Sequence, residues 1–173
     1  MVELRIPDPS WHEAWSAMAA EFGGGHVDGS GLHHWTVAEL ADPEVFRAWV
    51  SQLAAQERGE DVPKGWVAAS LRWVTEGDEV VGTIALRHEL TDFLLQEGGH
   101  IGYAVRPTAR RRGVATRALA LMLGECRVRG IDPVLVTCDE DNAASARTIE
   151  INGGVLDDVR NGKRRYWITL SDR

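Results

Sequence analysis

"IGYAVRPTARRRGVATRALALML", residues 101–123, places a strand, a tight loop and the beginning of a helix in immediate succession. The pattern of "HIGYAVRP" predicts a strand that ends at Pro107. Four arginines, at positions 106 and 110–112, then lead directly to Gly113. Beyond this glycine, apolar residues recur at helical spacing as far as Gly130, which predicts an amphipathic helix.

The junction of the loop and the helix has the chemistry of an anion-binding site. The first backbone N–H groups of a helix have no partner within it and carry partial positive charge. A glycine here lets a phosphate approach the backbone, and the arginines add charge. A pyrophosphate fits better than a nucleic-acid duplex, because the helix after Gly113 offers few side chains for base contacts. The spacing matches neither the P-loop nor the dinucleotide-binding glycine pattern.

The composition is that of one globular domain. The chain has 173 residues, of which 44% are apolar and 26% are charged, and these values disfavour disorder. No apolar run reaches the about 20 residues that span a bilayer. No signal peptide is visible, and Cys126 and Cys138 form no metal-like or redox-like pair. We therefore expect a cytoplasmic protein without a membrane partner, with residues 1–173 as a single domain.

The net charge of −7 conceals an uneven distribution. Residues 1–97 carry 6 Lys or Arg against 17 Asp or Glu, whereas residues 98–173 carry 13 against 9. The acidic first part argues against nucleic-acid binding, because it would repel phosphates. The basic second part suits a smaller polyanion, and the acidic part could attract a small cationic acceptor.

The order of the predicted elements indicates an α/β fold with a mixed sheet. In chain order the elements are a strand in "VELRI", helices over residues 8–22 and 36–58, two strands around a turn at 76–78, a strand and a helix over 101–130, a strand in "PVLVTC", a helix over 142–152 and a hairpin that turns at Asn161-Gly162. The glycine-rich segment of residues 21–31 predicts a loop.

Two motifs carry a family resemblance. In "VRPTARRRGVATRAL", Arg110 is followed by two residues, Gly113, one residue and Ala115. In "VTCDEDNAASARTIEINGGVL", Asn142 and Ser145 begin a helix that follows a strand. The first motif resembles the acyl-CoA pyrophosphate loop of the GCN5-related N-acetyltransferase (GNAT) family, and the second is similar to the family's next strand and helix. "LRHEL", "GGHIGY" and "NGGVL" resemble a bacterial branch of predicted acetyltransferases.

The resemblance implies a single-domain α/β acetyltransferase with a mixed, mostly antiparallel sheet, flanking helices and a splayed central strand pair. Residues 80–170 would form the acyl-CoA-binding core, and residues 1–60 a helical region on the acceptor side. Acetyl-CoA would be the co-substrate, attacked directly by an amine. The positions implied to bind pantetheine and pyrophosphate are Tyr103, Ala104, Val105, Arg110, Arg111, Arg112, Gly113, Val114, Ala115, Thr116, Asn142 and Ser145.

The implied chemistry needs a base for the amine and sometimes an acid for the departing thiolate. Candidate bases flank the strands near the expected opening: His88 and Glu89 follow one strand, and Glu97 and His100 precede the next. Glu97 and His100 rank first, because the strand they precede carries the implied cofactor contacts. Many family members have a tyrosine acid seven residues after the asparagine, where this chain has Ile149.

Without that tyrosine, solvent or another group protonates the thiolate, and a thiol of pKa about 8.5 is a tolerable leaving group. Tyr103, on the implied cofactor strand, is the alternative acid. Cys138 could carry the acetyl group covalently, although a small buried hydrophobe is the simpler interpretation. His33 and His34 lack a third ligand at suitable spacing, so we expect no metal. A non-catalytic acyl-CoA-binding module is the alternative function, and a homodimer is one possible assembly.

Overall fold

Seven strands form one sheet in the structure, a computed structural model that describes residues 1–170. The strands are β1 (Val2–Arg5), β2 (Ala69–Glu76), β3 (Glu79–Arg87), β4 (Ile101–Val105), β5 (Val134–Asp139), β6 (Val155–Arg160) and β7 (Lys163–Ile168). Their order across the sheet is β1-β2-β3-β4-β5-β7-β6. Every neighbouring pair is antiparallel except β4 and β5. The expected mixed, mostly antiparallel sheet is confirmed, and the last three positions of the expected 1–173 domain lie outside the described residues.

Four α-helices flank the sheet: α1 (His12–Ala20), α2 (Pro43–Glu57), α3 (Val114–Arg129) and α4 (Ala143–Ile151). Their ends follow local chemistry. The Asp42 carboxylate caps α2 by accepting from the N–H groups of Glu44 and Val45, and Pro43 occupies its first turn. Left-handed glycines bound α3, with φ of 77° at Gly113 and 71° at Gly130. No helix among residues 1–170 is long and apolar enough to cross a membrane.

The two faces of the sheet pack against different helices. One core contains Trp15 of α1 and Trp49 of α2 against Trp73 of β2, all at most 3% exposed. The other contains Leu119 of α3 and Ile149 of α4, both fully buried. Successive strand residues point to opposite faces, so the sheet separates the two layers.

The parallel strands β4 and β5 meet at a single residue pair, Ile101 and Val136. On its other side β4 pairs with β3 along its whole length, from Ile101 to Val105. β4 and β5 therefore diverge beyond Ile101, and the side of Tyr103–Val105 that faces β5 has no strand partner. This opening in the middle of the sheet is the expected splayed pair.

Several sequence predictions shift by a few residues. The helix predicted over residues 8–22 divides into a 3-10 turn at Pro9–Trp11 and α1. The Asp8 carboxylate accepts from the Ser10 N–H and starts that turn. A π-helical turn at Leu94–Gly98, which the sequence pattern does not indicate, leads into β4. This turn places Glu97 beside the sheet opening.

Candidate active site

A cleft of about 1040 Å³ fills the opening between β4 and β5. Its lining comes from parts of the chain far apart in sequence. The contributing regions are the segment after α1 (residues 22 and 26–28), the end of β3, the π-helical turn, β4, the loop before α3, the end of β5, the beginning of α4 and Lys163. Charged side chains of both signs lie at this surface, so it suits a polar ligand that runs from one end to the other.

The end of the cleft beyond β4 is the exposed N-terminus of α3. Gly113 precedes the helix, and no side chain caps it. The Arg117 N–H already donates to the Gly113 carbonyl at 3.0 Å, which leaves the N–H groups of Val114, Ala115 and Thr116 without helical partners. A side chain at position 113 would meet no protein atom within 4 Å. The glycine therefore keeps open a space beside three donors, as a phosphate site requires.

The four arginines before Gly113 divide into two kinds. Arg106 donates to Glu79 at 2.9 Å, and Arg112 donates to Glu76 at 2.8 Å. These two side chains lie against acidic partners on β2 and β3 rather than at the cleft. Arg110 and Arg111 do line the cleft. The Arg112 side chain, expected to add its charge to a phosphate site, thus lies outside the cleft lining, and its part in binding stays a prediction.

At the other side of the opening, the start of α4 meets Tyr103. The Asn142 Oδ1 atom accepts from the Ser145 N–H at 3.0 Å and caps the helix. The Tyr103 hydroxyl lies 2.7 Å from the Ser145 hydroxyl. Burial raises the pKa of Tyr103 to about 12. Ile149 points into the core, so the hydroxyl that reaches α4 comes from β4.

Cys138, at the end of β5, also lines the cleft. Burial raises the pKa of its thiol, so the nucleophilic thiolate is disfavoured. The side chain is 7% exposed and belongs to the apolar core below the cleft. These features match the interpretation of Cys138 as a buried hydrophobe.

Glu97 lies at the cleft where β4 begins. Its Oε1 atom accepts from the Asn161 side-chain amide at 3.1 Å, and its carbonyl accepts from the Thr137 hydroxyl at 2.6 Å. Asn161 belongs to the turn between β6 and β7. The residue is thus held through its backbone carbonyl and through one carboxylate oxygen, while the second carboxylate oxygen has no partner among the described residues.

The other candidate bases lie away from the cleft. His100 is 7% exposed, and its Nδ1 atom accepts from the Leu135 N–H at 3.0 Å. Burial, with the nearby Arg87, lowers the pKa of His100 to about 4. The ring therefore joins the strands as a neutral group, and the structure does not support its expected catalytic role. His88 bonds the Ser70 hydroxyl at 2.8 Å, and neither it nor the exposed Glu89 lines the cleft.

The glycine-rich loop forms the remaining wall. Its Gly29 carbonyl accepts from the Thr83 hydroxyl at 2.7 Å. A side chain at Gly29 would come within 2.1 Å of the Gly102 carbonyl oxygen on β4, so the loop packs directly on that strand. This contact places the Asp28 carboxylate at the cleft, with only His26 as a side-chain partner, at 3.2 Å. The loop is therefore held in place where it meets the sheet.

The family model for the acetyltransferase (GNAT) domain matches residues 9–155. The chain belongs to the GNAT acetyltransferase family. The family and fold indicated by the two sequence motifs are thereby confirmed.

Solved GNAT acetyltransferases share this architecture. Ribosomal-protein-S5-alanine acetyltransferase from Vibrio fischeri is 16% identical, with a TM-score of 0.69 over 99% of this chain and 94% of that one. RimJ from Mycobacterium smegmatis, in complex with CoA-disulfide, is 19% identical, with a TM-score of 0.68 over 98% and 82%. The microcin C7 self-immunity acetyltransferase MccE, in complex with acetyl-CoA and AMP, is 15% identical, with a TM-score of 0.65 over 98% and 92%. At such identities the likeness shows the fold. No curated protein matches the chain.

The GNAT motifs led to most of the cofactor end of this cleft and to little of its other end. Apart from Arg112, all the positions implied to bind acetyl-CoA line the cleft. Asp28, Arg87 and Lys163 at the other end were missed. Arg87 ends an apolar strand pattern and Asp28 interrupts a run of glycines, and neither position is exceptional without the contacts that bring them together. No group of three or more metal-binding side chains occurs among residues 1–170.

Proposed function

We propose that this GNAT enzyme transfers the acetyl group of acetyl-CoA to a primary amine of a small molecule, by direct attack of the amine. The observation that carries the proposal is the cleft itself. It joins an open helix N-terminus at Gly113 to an unpaired strand backbone at β4, and carboxylates lie at its far end. Residues 80–170 supply the coenzyme site, and residues 1–60 contribute to the acceptor side.

The chain's groups fit the parts of the coenzyme in order. The N–H groups before and within the first turn of α3 would hold the pyrophosphate, with Arg110 and Arg111 beside it. The free backbone edge of Tyr103–Val105 would pair with the amides of pantetheine. Asn142 uses its Oδ1 atom as a helix cap, which leaves its Nδ2 group to donate to the same arm. The acetyl group would then lie within the opening of the sheet.

We propose Glu97 as the base. An amine is protonated at neutral pH and must lose a proton before its nitrogen can form a bond to the acetyl carbon. Glu97 reaches the cleft with one oxygen held by Asn161 and the other free. As a carboxylate it also attracts the cationic form of the acceptor. Asp28, which also lines the cleft, adds a second negative charge for the same attraction.

Tyr103 would assist the departure of the thiolate by donating a hydrogen bond to sulfur. A hydroxyl of pKa about 12 does not transfer its proton completely to a thiolate whose acid has a pKa of about 8.5, so solvent completes the protonation. This role takes the place of the tyrosine that many family members carry where this chain has Ile149. With this role for Tyr103, the absence of a tyrosine at position 149 does not by itself favour the non-catalytic module.

The test is release of free CoA from acetyl-CoA with a panel of primary amines, followed by mass spectrometry of the acetylated product. Acetyl-CoA binding should be visible as thermal stabilisation even before an acceptor is found. Binding without CoA release for any amine would favour the non-catalytic module. The cytoplasmic location, the homodimer and the absence of nucleic-acid and membrane partners stay predictions.

A further inference from the structure

The guanidinium of Arg87 is a charge at the cleft that the proposed chemistry does not use. Arg87 ends β3, and its Nη1 group donates to the carbonyls of Gly98 at 2.9 Å and Gly99 at 3.1 Å. Its Nε and Nη2 groups donate to no residue among positions 1–170. No carboxylate of the described chain lies within ion-pairing distance of it. Burial lowers the pKa of Arg87, although a guanidinium keeps its charge at neutral pH.

A partly buried cation without a counterion is unfavourable unless a bound anion neutralises its charge. The Nε and Nη2 groups form the edge of a guanidinium that binds a carboxylate through two parallel hydrogen bonds. Here that edge is free, while the two carbonyl bonds hold the group in place. Asp28 is the acid whose charge raises the pKa of Arg87. Its side chain is 71% exposed, however, and it pairs with His26 rather than with the guanidinium.

The location separates Arg87 from the phosphates of the coenzyme. The Arg87 N–H donates to the His100 carbonyl at 2.7 Å, immediately before β4, whereas Gly113 lies beyond the other end of that strand. The five residues of β4 span about 15 Å at 3.3 Å per residue. The guanidinium therefore faces the acceptor end, together with Glu97 and Asp28.

The absence of a side chain at Gly102 gives a small anion access to the Arg87 guanidinium. Gly102 lies on β4 opposite Ala85 of β3, and a side chain on it would come within 3.7 Å of the Arg87 Nη2 atom and 3.3 Å of the Gly29 N atom. The missing side chain leaves the Nη2 group uncovered on the face where the glycine-rich loop closes the cleft. A small anionic group can therefore reach the guanidinium from the cleft.

We propose that the acceptor is a small amino-acid-like molecule, whose carboxylate binds Arg87 while its amine lies between Glu97 and Asp28. The inference rests on the proposed acetyl transfer and refines its acceptor from a simple cation to a zwitterion. Arg87 is then a specificity-determining residue. It selects acceptors whose carboxylate lies a few bonds from the amine.

The experiment compares kcat/KM for matched acceptors with saturating acetyl-CoA. The panel contains common L-amino acids and β-alanine, each with its carboxamide and its decarboxylated amine. For the preferred acceptor we expect the carboxylate to exceed its carboxamide by about 10- to 100-fold, the range for loss of a charge-assisted bond. In Arg87→Met the carboxylate should lose this factor while the carboxamide changes less than about threefold. Arg127→Met, which removes an exposed charge from α3, should leave both rates unchanged.

Three outcomes overturn the inference without touching acetyl transfer itself. Equal rates for carboxylates and carboxamides in the unmodified enzyme would show that Arg87 binds no acceptor carboxylate. An equal loss for both classes in Arg87→Met would instead mean that the guanidinium stabilises charge on the reacting carbonyl. Faster turnover of peptides that begin with Asp than of any free amino acid would assign the carboxylate to a polypeptide. Failure of the proposed function is distinct, because then no amine of any class releases CoA.

Arg87 also bonds two carbonyls, so a folding defect must be separated from a binding defect. Acetyl-CoA should raise the melting temperature of Arg87→Met as much as that of the unmodified enzyme. If this variant does not fold, the test moves to the unmodified enzyme. Short carboxylic acids without an amine should then inhibit competitively against the acceptor and not against acetyl-CoA, and their amides should not inhibit. Equal inhibition by acids and amides would overturn the inference.

Discussion

Replacing Gly113 with valine tests the phosphate site at the beginning of α3. The change has two effects that the structure separates. Gly113 has a φ of 77°, so any side chain there strains the backbone by about 1–2 kcal/mol. The new side chain would also occupy the open space beside the free N–H groups of Val114, Ala115 and Thr116. Only the second effect should weaken coenzyme binding.

The chain offers a matched control at the other end of the same helix. Gly130 has a φ of 71°, and a side chain there also meets no atom within 4 Å. Gly130→Val therefore introduces the same strain far from the cleft. Both variants should lose about 2–8 °C in melting temperature, since about 1 kcal/mol corresponds to ~2–4 °C at this chain length.

The expected loss of affinity follows from the donors that are blocked. Losing one or two charge-assisted hydrogen bonds, each worth about 1.5–3 kcal/mol, removes about 3 kcal/mol, or about 100-fold in Kd. Isothermal titration calorimetry with acetyl-CoA should show this in Gly113→Val and not in Gly130→Val. Acetyl-pantetheine lacks the pyrophosphate, so its Kd should change less than about twofold in either variant. Equal weakening of both ligands by Gly113→Val would refute the phosphate assignment.

Other predictions concern the coenzyme, the catalytic groups and stability. Acetyl-CoA at 100 times its Kd should add about 2.7 kcal/mol to the stability measured by thermal unfolding, and no shift in folded protein would contradict coenzyme binding. Glu97→Gln should lower kcat/KM at least ~100-fold without changing the Kd for acetyl-CoA. In the unmodified enzyme the profile of kcat/KM against pH should have no descending limb from Tyr103 below about pH 10, because a hydroxyl with a pKa of about 12 remains protonated there. Tyr103→Phe should lower kcat about tenfold without changing the profile's shape, whereas an alkaline limb that disappears in this variant would show complete proton transfer. Glu57 pairs with the buried Arg72 at 2.7 Å, which lowers its pKa from 4.5 to about 2. Because the folded pKa is lowered, the stability that the Glu57 carboxylate contributes is present above pH 4.5 and is lost as the pH falls towards 2; Glu57→Gln should lower the urea-derived stability at pH 7 and not at pH 2.

Local chemistry was sufficient to predict the strand and the helices around the proposed coenzyme site. A proline after β4, a left-handed glycine before α3 and an asparagine cap on α4 act over a few residues, so their effect is visible in the chain as written. The two motifs indicated the family for the same reason, because each lies within one short segment of the chain. The sequence did not show which arginine side chains of the loop before α3 face the cleft. Arg112 directly follows Arg111 in the chain, and only the folded sheet brings Glu76 to it.

The acceptor end could not be found in this way, because its residues meet only through the order of the strands. Asp28 reaches the cleft since Gly29 packs on Gly102, more than seventy positions later. Likewise, the turn at Asn161 holds Glu97 across 64 positions. His100 and Glu97 are near neighbours in the chain, yet the pairing of β4 with β5 buries the ring and leaves the carboxylate at the cleft. The sequence alone thus indicated an acetyltransferase fold and its coenzyme loop, through interactions between near neighbours. The candidate base and the free guanidinium emerged from the tertiary structure, since long-range packing determines which charges face the same opening.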